Sequence, residues 1–264
     1  MTGEARAGIH KFGDANAGMT WRPGHGIDTT GESGVSSAGF NGEARMTHRT
    51  VALAGATGLV GRALLDGLLA DDTVGAVHVL ARRDIGRSAA KLTSHLVDFT
   101  ALPLLPPLDE AYLALGTTIK VAGSQAAFRA VDFDANLAVA KAALRAGAKR
   151  AGLVSAMGAD PESSVFYSQV KGELEEALSD LHFQGLVIAR PSLLLGDRVA
   201  LGQPPRVGES IGEFVGKLLG PFVPRDYRPI EAVRVAQALL RSVPAAQGRQ
   251  VLLSGAMNTP ATDR

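Results

Sequence analysis

The stretch Val51-Ala-Leu-Ala-Gly55-Ala-Thr-Gly58-Leu-Val-Gly61-Arg-Ala-Leu-Leu65 decides the fold. Val51 to Ala54 is an uninterrupted apolar run closed by a glycine, the pattern of a strand buried on both faces. From Gly58 to Ala70, Val60, Leu64 and Leu68 recur at every fourth residue with Leu65 and Leu69 beside them, which is one face of a helix. Between strand and helix stand Gly55, Gly58 and Gly61. In that setting the first glycine permits a tight turn, the second lets the backbone approach a pyrophosphate, and the third allows close helix–sheet packing. The helix start adds free N–H groups and a favourable dipole for an anion. The spacing is GxxGxxG, not the GxGxxG of the long dehydrogenases. Such a turn predicts a bound nicotinamide dinucleotide.

Working outward, apolar strand patterns recur at Val77–Ala81, His95–Val97, Ala111–Leu115, Ala151–Ser155 and Leu186–Ala189. Helical patterns separate them: Asp132–Arg145, stopped by Ala146-Gly147, and Ser164–Leu181. This alternation predicts an α/β fold, a Rossmann-type doubly wound parallel sheet. After Pro191 the rhythm changes. Residues 196–230 are rich in glycine and proline, with one amphipathic stretch, Ile211–Leu219, and are followed by a helix, Glu231–Ser242, and a late strand, Gln250–Leu253. Ligands of open parallel sheets lie beyond the carboxyl ends of the strands. The irregular C-terminal segment is therefore expected to form the substrate-side wall or lid, with Phe214, Val215 and Leu218 either lining a pocket or packing as core.

Residues 1–48 differ from the remainder: ten glycines, no leucine, and only Ile9, Ile27 and Val35 among branched aliphatics. Such a segment buries too little apolar surface to offset the entropy of ordering it. It reads as a disordered leader preceding one domain at 49–264. Met46 leaves two readings open, a flexible tail or an extension upstream of the true start.

The 264 residues carry a formal net charge of +1, which gives no footprint for nucleic acid or an anionic membrane. The chain has no cysteine and six scattered histidines, so neither disulfides nor a metal site is expected. No stretch approaches the ~20 apolar residues of a membrane span, and no apolar secretory region opens the chain. These features lead to the expectation of a cytoplasmic protein acting on a small molecule. Oligomeric state is not legible.

The end of the second strand bears on the cofactor. NAD-specific sites present a carboxylate about 20 residues past the glycines, bonding the ribose 2′-OH. Here Leu80-Ala81 leads into Arg82-Arg83, with Asp84 only after them. Two guanidiniums suit a 2′-phosphate, each charge-assisted bond contributing roughly 1.5–3 kcal/mol. The expected cofactor is NADP(H). Further on, Tyr167 and Lys171 lie one helical turn apart on one face. A phenol is a poor acid–base group near neutrality unless a cation stabilises its anion. A lysine beside it does so, and the phenol can then exchange a proton with a carbonyl oxygen while hydride moves at carbon. Ser155 closes the preceding strand.

The glycine turn, the Tyr167-Ser-Gln-Val-Lys171 helix and Arg190-Pro191 together resemble the short-chain dehydrogenase/reductase superfamily. The strings Leu115-Gly-Thr-Thr118, Gly158-Ala-Asp160, Tyr167-Ser-Gln-Val-Lys-Gly-Glu173 and Arg190-Pro-Ser-Leu-Leu-Leu-Gly-Asp-Arg198 are similar to its atypical NAD(P)-binding branch, that of the Tat-interacting oxidoreductase and its bacterial relatives. The resemblance runs from about Thr50 to Leu240. It implies that Thr57, Gly58, Leu59 and Val60 line the pyrophosphate, Arg82 and Arg83 the adenosine phosphate, and Asp98 the adenine edge. It places Leu115 and Gly116 against the cofactor, Leu194 near the carboxamide end, and Arg206 at the phosphates or substrate mouth. It makes Tyr167 the proton donor or acceptor and Lys171 the partner of the nicotinamide ribose. Two positions depart from the pattern. Many members have two serines after the fifth strand, the second polarising the substrate oxygen; this chain has Ser155-Ala156, which leaves Ser155 as the candidate catalytic hydroxyl, and Asp132 stands where larger relatives carry an asparagine. The expected function is NADPH-dependent hydride transfer on a small carbonyl or alcohol. The alternative is a catalytically weak NADP(H)-binding sensor or regulator. A nucleotide-sugar epimerase is disfavoured because little chain follows Pro191.

Overall fold

The computed structural model of the chain describes residues 48–195 and 224–258, all within the unit Arg45–Arg264. The expectations for the leader (1–47), for 196–223 with its Ile211–Leu219 stretch, and for Arg206 lie outside the described residues.

Seven strands form one parallel sheet: β1 (Arg49–Ala54), β2 (Val74–Ala81), β3 (Leu92–Leu96), β4 (Glu110–Leu113), β5 (Arg150–Val154), β6 (Gly185–Arg190) and β9 (Gly248–Leu253). Their order is β3-β2-β1-β4-β5-β6-β9. The chain winds outward from β1 through β2 to β3, then returns to place β4 on the other side of β1. The crevice between the carboxyl ends of β1 and β4 is the switch point at which such sheets bind ligands. A separate two-stranded pair, β7 (Leu194–Leu195) and β8 (Ile230–Glu231), lies after β6 in sequence.

The alternation of β1 explains the two-sided core. Val51 and Leu53 pack on one face with Val60, Leu64 and Leu68 of α1 (Leu59–Ala70). The late helix α6 (Ala232–Ser242) joins the same layer through Val235 and Leu239. Gly67 of α1 makes this crossing close, since a Cβ there would come within 2.3 Å of Leu240 Cδ1. Ala52 and Ala54 face the other way, toward Val139 and Ala143 of α4 (Asn136–Arg145) and Leu174 and Leu178 of α5 (Phe166–Ser179).

The helix expected over 132–145 differs in the structure. It is preceded by the short helices α2 (Ile119–Ala122) and α3 (Gln125–Arg129), and Ala130–Ala135 winds as a π-helical turn before α4 begins. A π turn carries no hydrophobic period of its own, so spacing does not reveal it. The last helix, α7 (Ser254–Asn258), also had no sequence signal. No helix among the described residues is long and apolar enough to cross a membrane.

Candidate functional site

The turn after β1 separates its three glycines into two roles. Gly55 has φ +93°, and a Cβ there would lie 2.3 Å from Ala114 O. A Cβ on Gly61 would lie 1.9 Å from Gly55 O. Both positions are glycine because the protein's own backbone fills the space. Gly58 is different: its N–H donates to Gly55 O at 3.0 Å, and a Cβ would make only an ordinary 3.5 Å contact with that oxygen. The space in front of Gly58 is open. The first helical bond of α1 runs from Arg62 N to Gly58 O at 2.9 Å, so the amides of Leu59, Val60 and Gly61 precede the helical ladder. No side chain caps this end and its first turn has no acidic residue. An uncapped helix start behind an open glycine fits a pyrophosphate.

Beside it lies a cavity of about 360 Å³ lined by Gly55, Ala56, Thr57, Leu80, Ala81, Arg82, Arg83, Phe99 and Leu115. Five residues expected at the cofactor therefore line one cavity: Gly55, Thr57, Arg82, Arg83 and Leu115. Both arginines are exposed. Asp98 does not line the cavity, but its neighbour Phe99 does. Thr100 donates its backbone N–H (2.9 Å) and hydroxyl (2.8 Å) to Asp98 Oδ1 and holds that exposed carboxyl below the usual carboxylate range. Phe99 has no motif to announce it, Ala56 lies within the glycine turn, and Leu80 and Ala81 follow from the topology of the strand ends.

Leu115 connects this cavity to the Tyr167–Lys171 helix. Asn136 Nδ2 donates to Leu115 O at 3.1 Å, and Thr117 N donates to Asp132 Oδ2 at 2.8 Å. The other carboxylate oxygen, Oδ1, lies 2.8 Å from Lys171 Nζ, an ion pair rather than an aligned hydrogen bond. A Cβ on Gly116 would make only an ordinary 3.6 Å contact with Asp132 Oδ1. Tyr167 is half-buried, its ring centroid 5.6 Å from that of the fully buried Phe128. The sequence marked Asp132 only as a departure from pattern. Its ion pair with Lys171 was not foreseen.

Ser155 is placed differently. Its hydroxyl donates to Glu175 Oε1 at 2.6 Å, and the residue is only 5% exposed. Glu175 is buried and also accepts from Arg190 through Nε (2.9 Å) and Nη2 (2.6 Å), and from Arg249 Nη2 at 3.2 Å. Bonding to Glu175 raises the Arg190 pKa further. The Arg190-Pro191 string thus ties β6 to α5. The remaining strings also have structural work. Gly158 turns with φ +77°, Asp160 N donates to Ser168 O at 3.1 Å, and a Cβ on Gly172 would come within 2.2 Å of Asp160 C and Pro161 N. This loop seats α5 and with it Tyr167 and Lys171. Leu194 lies in β7, paired with Ile230. Among the described residues no group of three His, Asp or Glu converges as metal ligands would.

Comparison with known proteins returned no matching family model. The chain is 36% identical over 209 residues to protein FMP52, mitochondrial, of Coccidioides immitis, covering 72% of this chain and 83% of that one. It is 33% identical over 207 residues to protein HTATIP2 of Rattus norvegicus, covering 75% and 83%. Among solved structures, MoeE5 in complex with UDP-glucose and NAD matches with a TM-score of 0.59 at 16% identity, over 77% of this chain and 75% of that one. The Bordetella bronchiseptica enzyme WbmG in complex with NAD matches with 0.58 at 17%, over 80% and 74%. Those likenesses establish the Rossmann-like fold. The names of the fungal relatives overturn the cytoplasmic expectation: those of Coccidioides immitis, Emericella nidulans, Eremothecium gossypii and Candida albicans are all called mitochondrial. That expectation rested on missing apolar segments, which do not discriminate among compartments beyond the secretory route.

Proposed function

The chain belongs to the family of FMP52 and HTATIP2, an atypical branch of the short-chain dehydrogenases/reductases, and we propose that it binds NADP(H) and exchanges hydride with a small carbonyl or alcohol. The observation that carries this reading is the cavity at the β1–β4 switch point, walled by Gly55, Thr57, Arg82 and Arg83 and joined through Leu115 to the Asp132–Lys171 pair. The amides at the start of α1 would hold the pyrophosphate, with Gly58 leaving room for it. Arg82 and Arg83 line the cavity, whose lining holds no carboxylate, and would neutralise the 2′-phosphate. A nicotinamide, when bound, would supply or accept the hydride. Tyr167 gives its phenolic proton to the substrate oxygen as that oxygen gains charge, and takes it back in the reverse direction. Lys171 lies one turn along α5, stabilises the phenolate and bonds the adjoining ribose.

Titration with NADPH and NADH, followed by NADPH oxidation across aldehydes, ketones and quinones, tests this reading. Loss of turnover in Tyr167→Phe with cofactor binding retained supports it. Unchanged turnover overturns the assigned proton donor. A second reading, an NADP(H)-binding sensor with little turnover, is favoured by Ser155, whose hydroxyl is bonded to Glu175 and is followed by Ala156, so the pattern's second hydroxyl is missing. Tight NADPH binding without turnover on any of these substrates would favour it.

A further inference from the structure

Lys171 and Asp132 form the most deeply buried ion pair among the described residues, with side chains 5% and 1% exposed. Burying two charges costs several kcal/mol of hydration per ion, and a pair of hydrophobic residues often serves stability as well or better. The local geometry is nevertheless built around the carboxylate. The π turn at Ala130–Ala135 places Asp132, and such turns are frequent at functional sites. Thr117 N fixes Oδ2.

We propose that Asp132 is a positioning residue for the tyrosine–lysine pair: it anchors Lys171 and compensates its charge, so that the acidity of Tyr167 is set by the pair and not by the lysine alone. This deepens the oxidoreductase reading and rests on it for its catalytic meaning, but its electrostatic content holds without cofactor or substrate. A cation one helical turn from a phenol favours the phenolate; a carboxylate 2.8 Å from that cation cancels most of the effect at a distance. Few other charges bear on this arrangement among the described residues. Arg129 of α3 is paired with Glu173 of α5, and Glu175 is neutralised by Arg190 of β6 and Arg249 of β9. Asp134 in the π turn and Lys141 and Arg145 of α4 are exposed to solvent.

The test is a tyrosinate absorbance titration of the full chain without cofactor, with the fold checked by circular dichroism at each pH. The chain has three tyrosines. Burial and the neighbouring Glu110 push the Tyr112 phenol well above its ordinary range, and Tyr227 is exposed. Subtracting the titration of Tyr167→Phe in each background isolates Tyr167. In Asp132→Asn its ionisation is expected at lower pH by about one unit or more, the effect of an uncompensated cation nearby. In Lys171→Gln it is expected at higher pH. In the double variant Asp132→Asn/Lys171→Gln it is expected to return close to the wild type, and this neutral pair serves if either single variant unfolds. Superimposed Tyr167 titrations in the wild type and Asp132→Asn would overturn the proposal, as would a double variant displaced by a unit or more. Neither result depends on NADPH binding, so failure here is distinct from failure of the oxidoreductase reading.

Discussion

Ser155 Oγ donates to Glu175 Oε1 at 2.6 Å, and the same carboxylate receives Arg190 and Arg249. One buried anion thus gathers β5, β6, β9 and the helix that carries Tyr167 and Lys171. Hydrogen bonds to charged groups contribute about 1.5–3 kcal/mol. Ser155→Ala should therefore lower unfolding stability by roughly 1.5–3 kcal/mol. Glu175→Ala should cost at least as much, about 1.5–3 kcal/mol or more, since it removes the acceptor shared by Ser155, Arg190 and Arg249. Urea denaturation followed by circular dichroism measures both. A change under 0.5 kcal/mol in Glu175→Ala, the size typical of a neutral surface substitution, would mean the network is not formed.

Gly58 and Gly61 should separate binding from folding. Gly61→Ala drives a Cβ to 1.9 Å from Gly55 O and should destabilise the fold by about 1–3 kcal/mol or more. In Gly58→Ala the Cβ meets only a 3.5 Å contact. The loss of stability there should stay near 1 kcal/mol, the cost of alanine at a helix N-cap. That methyl nonetheless enters the space assigned to the pyrophosphate, so NADPH affinity should fall about tenfold or more, which is 1.4 kcal/mol. Thermal melting and cofactor titration of the two variants side by side would show whether the middle glycine serves a ligand.

His78 of β2 and His95 of β3 sit diagonally across neighbouring strands, with Nδ1 and Nε2 3.0 Å apart. Burial and, secondarily, the neighbouring His95 push the His78 pKa below its ordinary value. The unfolded chain therefore binds more protons than the folded one as pH falls. The contribution is fully present above the unfolded value of about 6.5 and is lost as pH drops through and below it. Melting temperature should fall between pH 7.5 and 5.5, and less steeply in His78→Gln. Equal slopes in the two proteins would remove this histidine from the pH response.

Much of the fold is legible in the sequence because its signals are local. Val51–Ala54 reads as buried, and all four residues are at most 1% exposed; the α1 face of Val60, Leu64 and Leu68 packs as its spacing requires. Arg82, Arg83 and Leu115 reach one cavity with Gly55 because strand ends in a parallel sheet converge. What escaped has no period or motif. The π turn is a hydrogen-bonding register, invisible to residue spacing, and it decides where Asp132 points. Phe99 enters the cavity by adjacency to Asp98, and Ser155 was read from its place at a strand end although its hydroxyl is bound to a carboxylate 20 residues away. The strings of the family resemblance also hold residues with structural work: Gly172 and Arg190 seat the helix that carries Tyr167 and Lys171.

The measurement that bears most directly on the assigned cofactor is calorimetric titration of the full chain with NADPH and with NADH, repeated on Arg82→Ala/Arg83→Ala. NADPH should bind at least tenfold more tightly than NADH, as one charge-assisted bond of about 1.5–3 kcal/mol to the 2′-phosphate requires. The double substitution should remove most of that preference while leaving NADH affinity within a few-fold. Equal affinities for the two cofactors in the unsubstituted protein would contradict the assignment.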